Sequence, residues 1–162
     1  MLDSRKWLLG SVVALGLVGC SECSHEEDAH SHGDHAAHAA NATLTLNEGE
    51  KWQTDAPLRE SMTRIRDQVQ AAVPAIHDES FTPAQYAALG AAIDKEISTI
   101  FANCKLPPAA DAQLHILLAG LTSGAAGMKK PGAPMASVVE VVEGLASYGE
   151  FFDHPGFQPI TH

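Results

Sequence analysis

Apolar residues recur at helical spacing in four stretches between residues 54 and 152, with short polar, proline-rich or glycine-rich segments between them. Steps of three and four residues put side chains on one face of an α-helix, which turns once every 3.6 residues. The pattern therefore predicts four amphipathic helices. Their expected inward-facing positions are Leu58, Met62, Ile65, Val69 and Ala72; Tyr86, Leu89, Ile93, Ile97, Ile100 and Cys104; Leu114, Leu117, Leu118, Leu121, Ala125 and Met128; and Met135, Val138, Val142, Leu145, Tyr148 and Phe152.

Helix boundaries are indicated by capping residues and prolines. Helix 1 is expected to begin near Asp55, with Pro57 in its first turn, and Pro74 should end or kink it. Residues 82–85 form a capping-box sequence with proline at the first helical position, which predicts the start of helix 2. Helix 3 is expected to start around residues 109–111.

Helix 3 carries a strip of small residues, Gly120, Gly124 and Gly127, along which another helix could approach closely. Helix 4 is expected from about Pro134 to Phe152. Four helices with short connections in about 120 residues predict an all-α, antiparallel, up-down-up-down four-helix bundle. In that order, the start of helix 1, the end of helix 2, the start of helix 3 and the end of helix 4 share one end of the bundle.

The N-terminus resembles the signal sequence of bacterial lipoproteins. Arg5 and Lys6 precede a mostly apolar stretch at 7–18, which is too short to span a bilayer, and Leu17-Val18-Gly19-Cys20 matches a lipobox. The resemblance implies a signal peptide at 1–19, cleavage before Cys20, and acylation of Cys20 by chains such as palmitate. It further implies a lipid anchor in the membrane, at the periplasmic face of the outer membrane because Ser21 is not aspartate.

Residues 20–43 predict a disordered, histidine-rich tether before a bundle domain at 44–162, because apolar content beyond alanine is almost nil. We call residues 20–43 the arm. Imidazoles interspersed with carboxylates can wrap one divalent ion, so the arm predicts binding of copper or zinc, against the alternative of a polar spacer. Its histidines are His25, His30, His32, His35 and His38.

Composition excludes several classes of function. The formal net charge of −10 argues against nucleic-acid binding, which needs a basic surface. The chain has no HExxH, GxSxG or P-loop motif and no Glu-x-x-His on a predicted helix, so we expect no enzyme. Cys23 and Cys104 have three possible fates in an oxidising compartment: a disulfide with each other, pairing between molecules, or metal binding.

The shared end of the predicted bundle collects thioether, thiol, imidazole and carboxylate groups, a donor set suited to Cu(I), or to zinc without the thioether. Each residue also has a structural interpretation: core packing for the methionine, a buried thiol or disulfide for the cysteine, and capping or turn roles for the others. The candidate ligands are Met62, Cys104, Asp111, His115, Asp153 and His154.

Residues 46–62, 103–107, 110–115 and 152–156 are similar to the corresponding parts of a poorly characterised family of small exported, histidine-rich proteobacterial four-helix proteins. The resemblance implies a signal sequence, a histidine-rich spacer and a helical domain. It also implies an association with envelope proteins that handle copper and heavy metals. This chain differs in having a lipobox, which a soluble periplasmic protein would not carry.

Three functions follow as hypotheses. The first is a metal-binding envelope lipoprotein in which the arm captures copper or zinc and the bundle end holds one ion. The second is a b-type haem bundle with Met62 and either His115 or His154 as axial ligands. The third is a non-catalytic interaction module that docks a protein through the glycine strip; its partner is unknown.

Overall fold

The computed structural model describes residues 43–132 and 134–161, so the predicted signal peptide at 1–19, the predicted acylation site Cys20 and the histidines of the arm lie outside the described residues. The described chain is an all-α four-helix bundle, which confirms the predicted fold class. Each helix packs on the next, and the first also packs on the last. The helices are α1, Ala56–His77; α2, Pro83–Asn103; α3, Pro108–Met128; and α4, Pro134–Phe151.

Two of the predicted helix starts are formed by side-chain caps. Asp55 caps α1 by accepting the Leu58 N–H at 3.0 Å. Thr82 and Gln85 form the predicted reciprocal capping box at the start of α2. In contrast, α3 begins at Pro108, slightly earlier than expected, and has no side-chain cap.

The expectation that Pro74 could end helix 1 is wrong, because α1 continues through it to His77. Pro74 sits in the last turn, so its missing N–H removes one backbone hydrogen bond close to the helix end. Val73 and Ile76, on either side of it, are buried. Their packing holds the last turn against the core.

The core confirms the predicted faces of the first three helices and corrects that of α4. Every predicted inward residue of α1–α3 is buried except Cys104, which is half-buried. On α4, Met135 is 49% exposed and Val142 is half-buried, whereas Val141 is fully buried. The buried positions Val138, Val141, Leu145 and Tyr148 step by three and four residues, so the inward face passes through Val141 instead of Val142.

The glycine strip of α3 is covered by α4 of the same chain. A Cβ on Gly124 would come within 2.6 Å of Val141 Cγ2 and 2.8 Å of the Ser137 carbonyl oxygen, and one on Gly127 would collide with Ser137 Oγ. Gly120, by contrast, has no atom within 4 Å of that position. Close approach of a helix was predicted correctly, but the occupant is α4, so the strip offers no free docking face at Gly124 and Gly127.

A small parallel sheet that the sequence did not predict closes one end of the bundle. Strand β1, Trp52–Gln53, precedes α1, and strand β2, Phe152–Asp153, follows α4 directly. Trp52 pairs with Phe152 and Gln53 with Asp153. The pairing holds the start of α1 beside the end of α4. Among the described residues, no helix is both long and apolar enough to cross a bilayer.

Candidate functional site

Asp55 joins three elements at the end of the bundle that carries β1 and β2. One of its carboxylate oxygens caps α1, and the other accepts the Lys105 N–H at 2.7 Å in the turn between α2 and α3. The carboxylate also hydrogen-bonds the Cys104 thiol. The start of α1, the end of α2 and the start of α3 therefore meet at this end.

Cys104 is the C-cap residue of α2 and carries a free, half-buried thiol. Burial, together with the negative charges of Asp55 and Asp111 and the hydrogen bond to Asp55, raises the pKa of this thiol to about 12. The thiol is therefore protonated at neutral pH. Binding a metal as thiolate at this position would release a proton, so affinity for such a metal should increase with pH.

A pocket of about 240 Å³ opens between α2 and α3 at this end of the bundle. It brings together three of the residues that the sequence singled out: Cys104 from α2, and Asp111 and His115 from α3. Phe101 on the rim is 57% exposed, an unusually open position for a large apolar side chain. The other lining residues are Ile100, Leu114 and Leu118.

Asp111 and His115 interact as neighbours one helical turn apart. His115 Nδ1 lies 2.9 Å from the Asp111 carbonyl oxygen and 3.4 Å from its carboxylate Oδ2. Both oxygens accept hydrogen bonds, so in the neutral ring Nδ1 carries the proton and Nε2 carries the lone pair. The His115 ring also packs beside Phe101, with ring centroids 5.5 Å apart. These contacts orient an imidazole in the way that metal-binding histidines are commonly oriented, with Nε2 available.

Asp153 and His154 occupy a different part of the same end, beside α4. Asp153 is paired in β2; its carbonyl oxygen accepts the Thr54 hydroxyl proton at 2.5 Å, and its carboxylate accepts a bond from Gln53 Nε2 at 3.1 Å. Residues 154–157 form a tight turn in which Gly156 has φ +84° and the Phe157 N–H donates to the His154 carbonyl oxygen at 3.1 Å. Asp153 thus closes the bundle through its strand and side-chain bonds.

His154 is engaged with Tyr148, a residue that the sequence predicted only as core. Its Nδ1 lies 3.0 Å from the Tyr148 hydroxyl oxygen, within hydrogen-bonding distance. Burial lowers the pKa of His154, and the guanidinium groups of Arg59 and Arg66 lower it further. Burial also raises the pKa of Tyr148. The pair is therefore held uncharged at neutral pH.

Met62 is fully buried in the hydrophobic core and does not line the pocket between α2 and α3. The six bundle-end candidates thus separate into a pocket group of Cys104, Asp111 and His115, a structural pair beside α4, and one core methionine. Within residues 43–132 and 134–161, no three His, Cys, Asp or Glu side chains are grouped closely enough to hold a metal ion between them.

Two residues of this end had no role assigned from sequence beyond helix start and core. Asp55 was recognisable as a cap, but its second bond to Lys105 joins segments 50 residues apart. Tyr148 was recognisable as an inward position, but its contact with His154 depends on the turn after β2.

A scan of protein-family models, a search of curated proteins and a search of solved structures each found no match to the chain.

Proposed function

We propose that this chain is a lipid-anchored protein of the bacterial cell envelope that binds a transition-metal ion, copper or zinc, and buffers, sequesters or delivers it. The observation that carries the proposal is the density of histidine in the arm. Five imidazoles and four carboxylates lie between His25 and His38, directly after the lipobox. A spacer needs no histidine, whereas imidazole is a preferred ligand of both metals.

The pocket between α2 and α3 supports a second, more selective binding position. An oriented imidazole, a carboxylate and a thiol line it, donor types that suit zinc or copper better than the hard cations magnesium and calcium. In the described residues these three side chains are not grouped closely enough to hold an ion between them, so binding here requires them to move together. The high pKa of Cys104 means that the thiol takes part only when the metal displaces its proton. Zinc and copper bind thiolate strongly enough to do so in other proteins.

Metal binding is tested by titrating the mature protein, purified in detergent, with Zn²⁺ and with Cu⁺ under reducing conditions. Three variants divide the sites: all five arm histidines changed to asparagine, Cys104→Ser, and His77→Ala as a control on an exposed histidine at the other end of the bundle. The proposal predicts at least one tightly bound ion, a large loss in the arm variant and no change for His77→Ala. Failure of the wild-type protein to bind either metal would overturn it.

Anchoring is tested separately by the intact mass of the mature chain. Two or more acyl chains give stable membrane attachment. We expect an N-terminus at Cys20 whose mass includes acyl groups, and Cys20→Ser should abolish both the processing and the added mass. A mature N-terminus elsewhere, with no acyl mass, would refute the lipid anchor without bearing on metal binding.

The same purified protein decides between this proposal and haem. A b-type haem gives a Soret absorption band, which a copper or zinc protein lacks. The bundle favours metal over haem because Met62 is enclosed in the core and His154 is engaged with Tyr148. A Soret band in the purified protein would replace the metal proposal with the haem one.

A further inference from the structure

A second apolar stripe runs along α4, beside the face that packs into the core. Met135 is 49% exposed, Val139 is 46% exposed and Val142 is half-buried. Steps of four and three residues place these side chains on one face of the helix, and the same steps continue to Ala146 and Gly149. Both α4 and α1 therefore contribute to a groove on this side of the bundle, because the stripe borders residues of α1.

The residues that follow β2 fill one part of this groove. We call residues 154–161 the tail. Phe157 packs against the core and lies over Gly149, where a Cβ would come within 3.4 Å of its ring. The Gln70 side chain of α1 clamps the tail backbone: its Nε2 donates to the Thr161 carbonyl oxygen at 3.0 Å, and its Oε1 accepts the Thr161 N–H at 2.9 Å. The groove thus already binds one non-helical segment, through an apolar side chain and a backbone clamp.

The tail leaves the adjoining part of the groove open among the described residues. This part is a pocket of about 240 Å³. On α1, it begins at Val73, three residues after Gln70; on α4, it begins at Val142, three residues before Leu145, which borders the tail. Its apolar lining consists of Val73 and Ile76 from α1 and Met135, Val138, Val139 and Val142 from α4.

The dimensions of the open pocket favour a short segment as its occupant. Met135 and Val142 are seven residues apart on a helix, a rise of about 10 Å, which matches about three residues of extended chain. The volume exceeds the roughly 150 Å³ of a cavity that binds benzene, so it has room for two or three apolar side chains. A second copy of this chain fits less well, because three apolar side chains supply far less than the roughly 800 Å² per partner of a stable interface.

The charge at the rim further defines the occupant. Two polar residues, His77 and the exposed Glu143, complete the lining, and no lysine or arginine lines this described pocket. The chain as a whole has a formal net charge of −10. A lysine or arginine next to the apolar residues of an incoming segment would therefore meet a favourable potential.

We propose that the open pocket between α1 and α4 binds a short, non-helical segment of a partner protein, with apolar side chains and a neighbouring lysine or arginine. The segment occupies this part of the groove as the tail occupies the adjoining part. The inference goes beyond metal binding and does not depend on it. It also places a protein-docking face on this groove, whereas the glycine strip of α3 is covered by α4 at Gly124 and Gly127.

The test selects binders without presupposing their sequence. The mature chain is held in phospholipid nanodiscs, because detergent would compete for an apolar pocket, and a random peptide library displayed on phage is selected on it after depletion on empty nanodiscs. We expect enriched peptides that combine apolar residues with a neighbouring lysine or arginine. One representative, synthesised with a fluorescent label, is then titrated with wild-type and variant protein.

The variants separate the open pocket from the rest of the surface. Val139→Ser and Met135→Ser should each weaken binding of the labelled peptide at least about tenfold, because they remove central apolar contacts. Leu46→Ser is the control, since Leu46 is a 41% exposed apolar residue outside the pocket, and it should leave the affinity unchanged. Glu143→Gln should weaken binding only about threefold, as expected for a charge at the rim.

Three results would overturn the inference. One is no enrichment over empty nanodiscs, or peptides whose binding survives both Val139→Ser and Met135→Ser. Another is self-association of the wild-type chain that Val139→Ser abolishes, which would assign the groove to a second copy. The third is a small apolar molecule that solvent extraction releases from the purified wild-type protein but not from Val139→Ser, which would assign it to a lipid-like ligand. None of them bears on the proposed metal binding.

Discussion

Replacing Asp55 with alanine should destabilise the end of the bundle that carries the candidate site. The carboxylate accepts the Leu58 N–H at 3.0 Å as the cap of α1 and the Lys105 N–H at 2.7 Å between α2 and α3. Loss of an N-cap costs about 1 kcal/mol. Loss of a hydrogen bond to a charged group costs about 2 kcal/mol. We therefore expect the free energy of unfolding to fall by about 3 kcal/mol.

Asp55→Asn separates these two contributions. Asparagine caps a helix about as well as aspartate, but its amide nitrogen cannot accept the Lys105 N–H, so this variant should lose about 2 kcal/mol. The assay is urea unfolding followed by far-ultraviolet circular dichroism, with an unchanged slope against denaturant. Asp67→Ala is the control, because its 57% exposed side chain pairs with the adjacent Arg66 and should contribute less than about 0.5 kcal/mol. An Asp55→Ala loss no larger than that of Asp67→Ala would refute the reasoning.

The same carboxylate gives the stability a pH dependence of defined sign. Burial raises the pKa of Asp55, but hydrogen bonds from the Lys105 and Leu58 N–H groups and the Cys104 thiol, with the charge of Arg59, lower it by more. The folded pKa is thus below the unfolded value, so the unfolded chain binds more protons as pH falls. The stabilisation is present above about pH 4 and is lost as pH falls through the folded pKa. As the pH is lowered through the folded pKa of Asp55, the urea concentration at the midpoint of unfolding should fall more steeply for the wild-type protein than for Asp55→Asn. Parallel curves of midpoint against pH would contradict this.

Two matched pairs of variants test the helix packing by the same unfolding assay. Gly124→Ala should lower the free energy of unfolding by about 1–3 kcal/mol, because its new Cβ meets Val141 and the backbone of Ser137. Gly120→Ala, whose Cβ would enter open space, should raise it by about 0.5–1 kcal/mol. Equal effects of the two substitutions would contradict the close approach of α4. Val141→Ala should cost about 2 kcal/mol and the 46% exposed Val139→Ala less than about 0.5 kcal/mol, and the reverse order would refute the inward face of α4.

The helices were predictable from sequence because their signals are local. Periodicity and caps such as Asp55 and Thr82 act within one or two turns, and the bundle follows from helix number and loop length. The inward face of α4 was harder, because valines at 138, 139, 141 and 142 offer two overlapping faces. Because α4 packs closely against Gly124 of α3 at Val141, the face that contains Val141 is the one turned inward.

Features that join distant segments were not predictable from local patterns. Strands β1 and β2 have two residues each and lie about a hundred residues apart, as the bond between Gln53 and Asp153 illustrates. The Asp111–His115 pair could be predicted from its spacing, since residues four apart are neighbours on a helix. The contact of Tyr148 with His154, by contrast, depends on how the turn after β2 folds back.

The most direct test of the proposed function is the metal content of the wild-type protein as isolated from the membrane fraction of its host. Elemental mass spectrometry on protein purified without chelator or added metal gives the identity and number of bound ions per chain. The proposal predicts close to one or more equivalents of copper or zinc, reduced in the variant that lacks the five arm histidines. A wild-type protein that carries neither metal, and that acquires neither when its host is grown with added copper or zinc, would contradict the proposal.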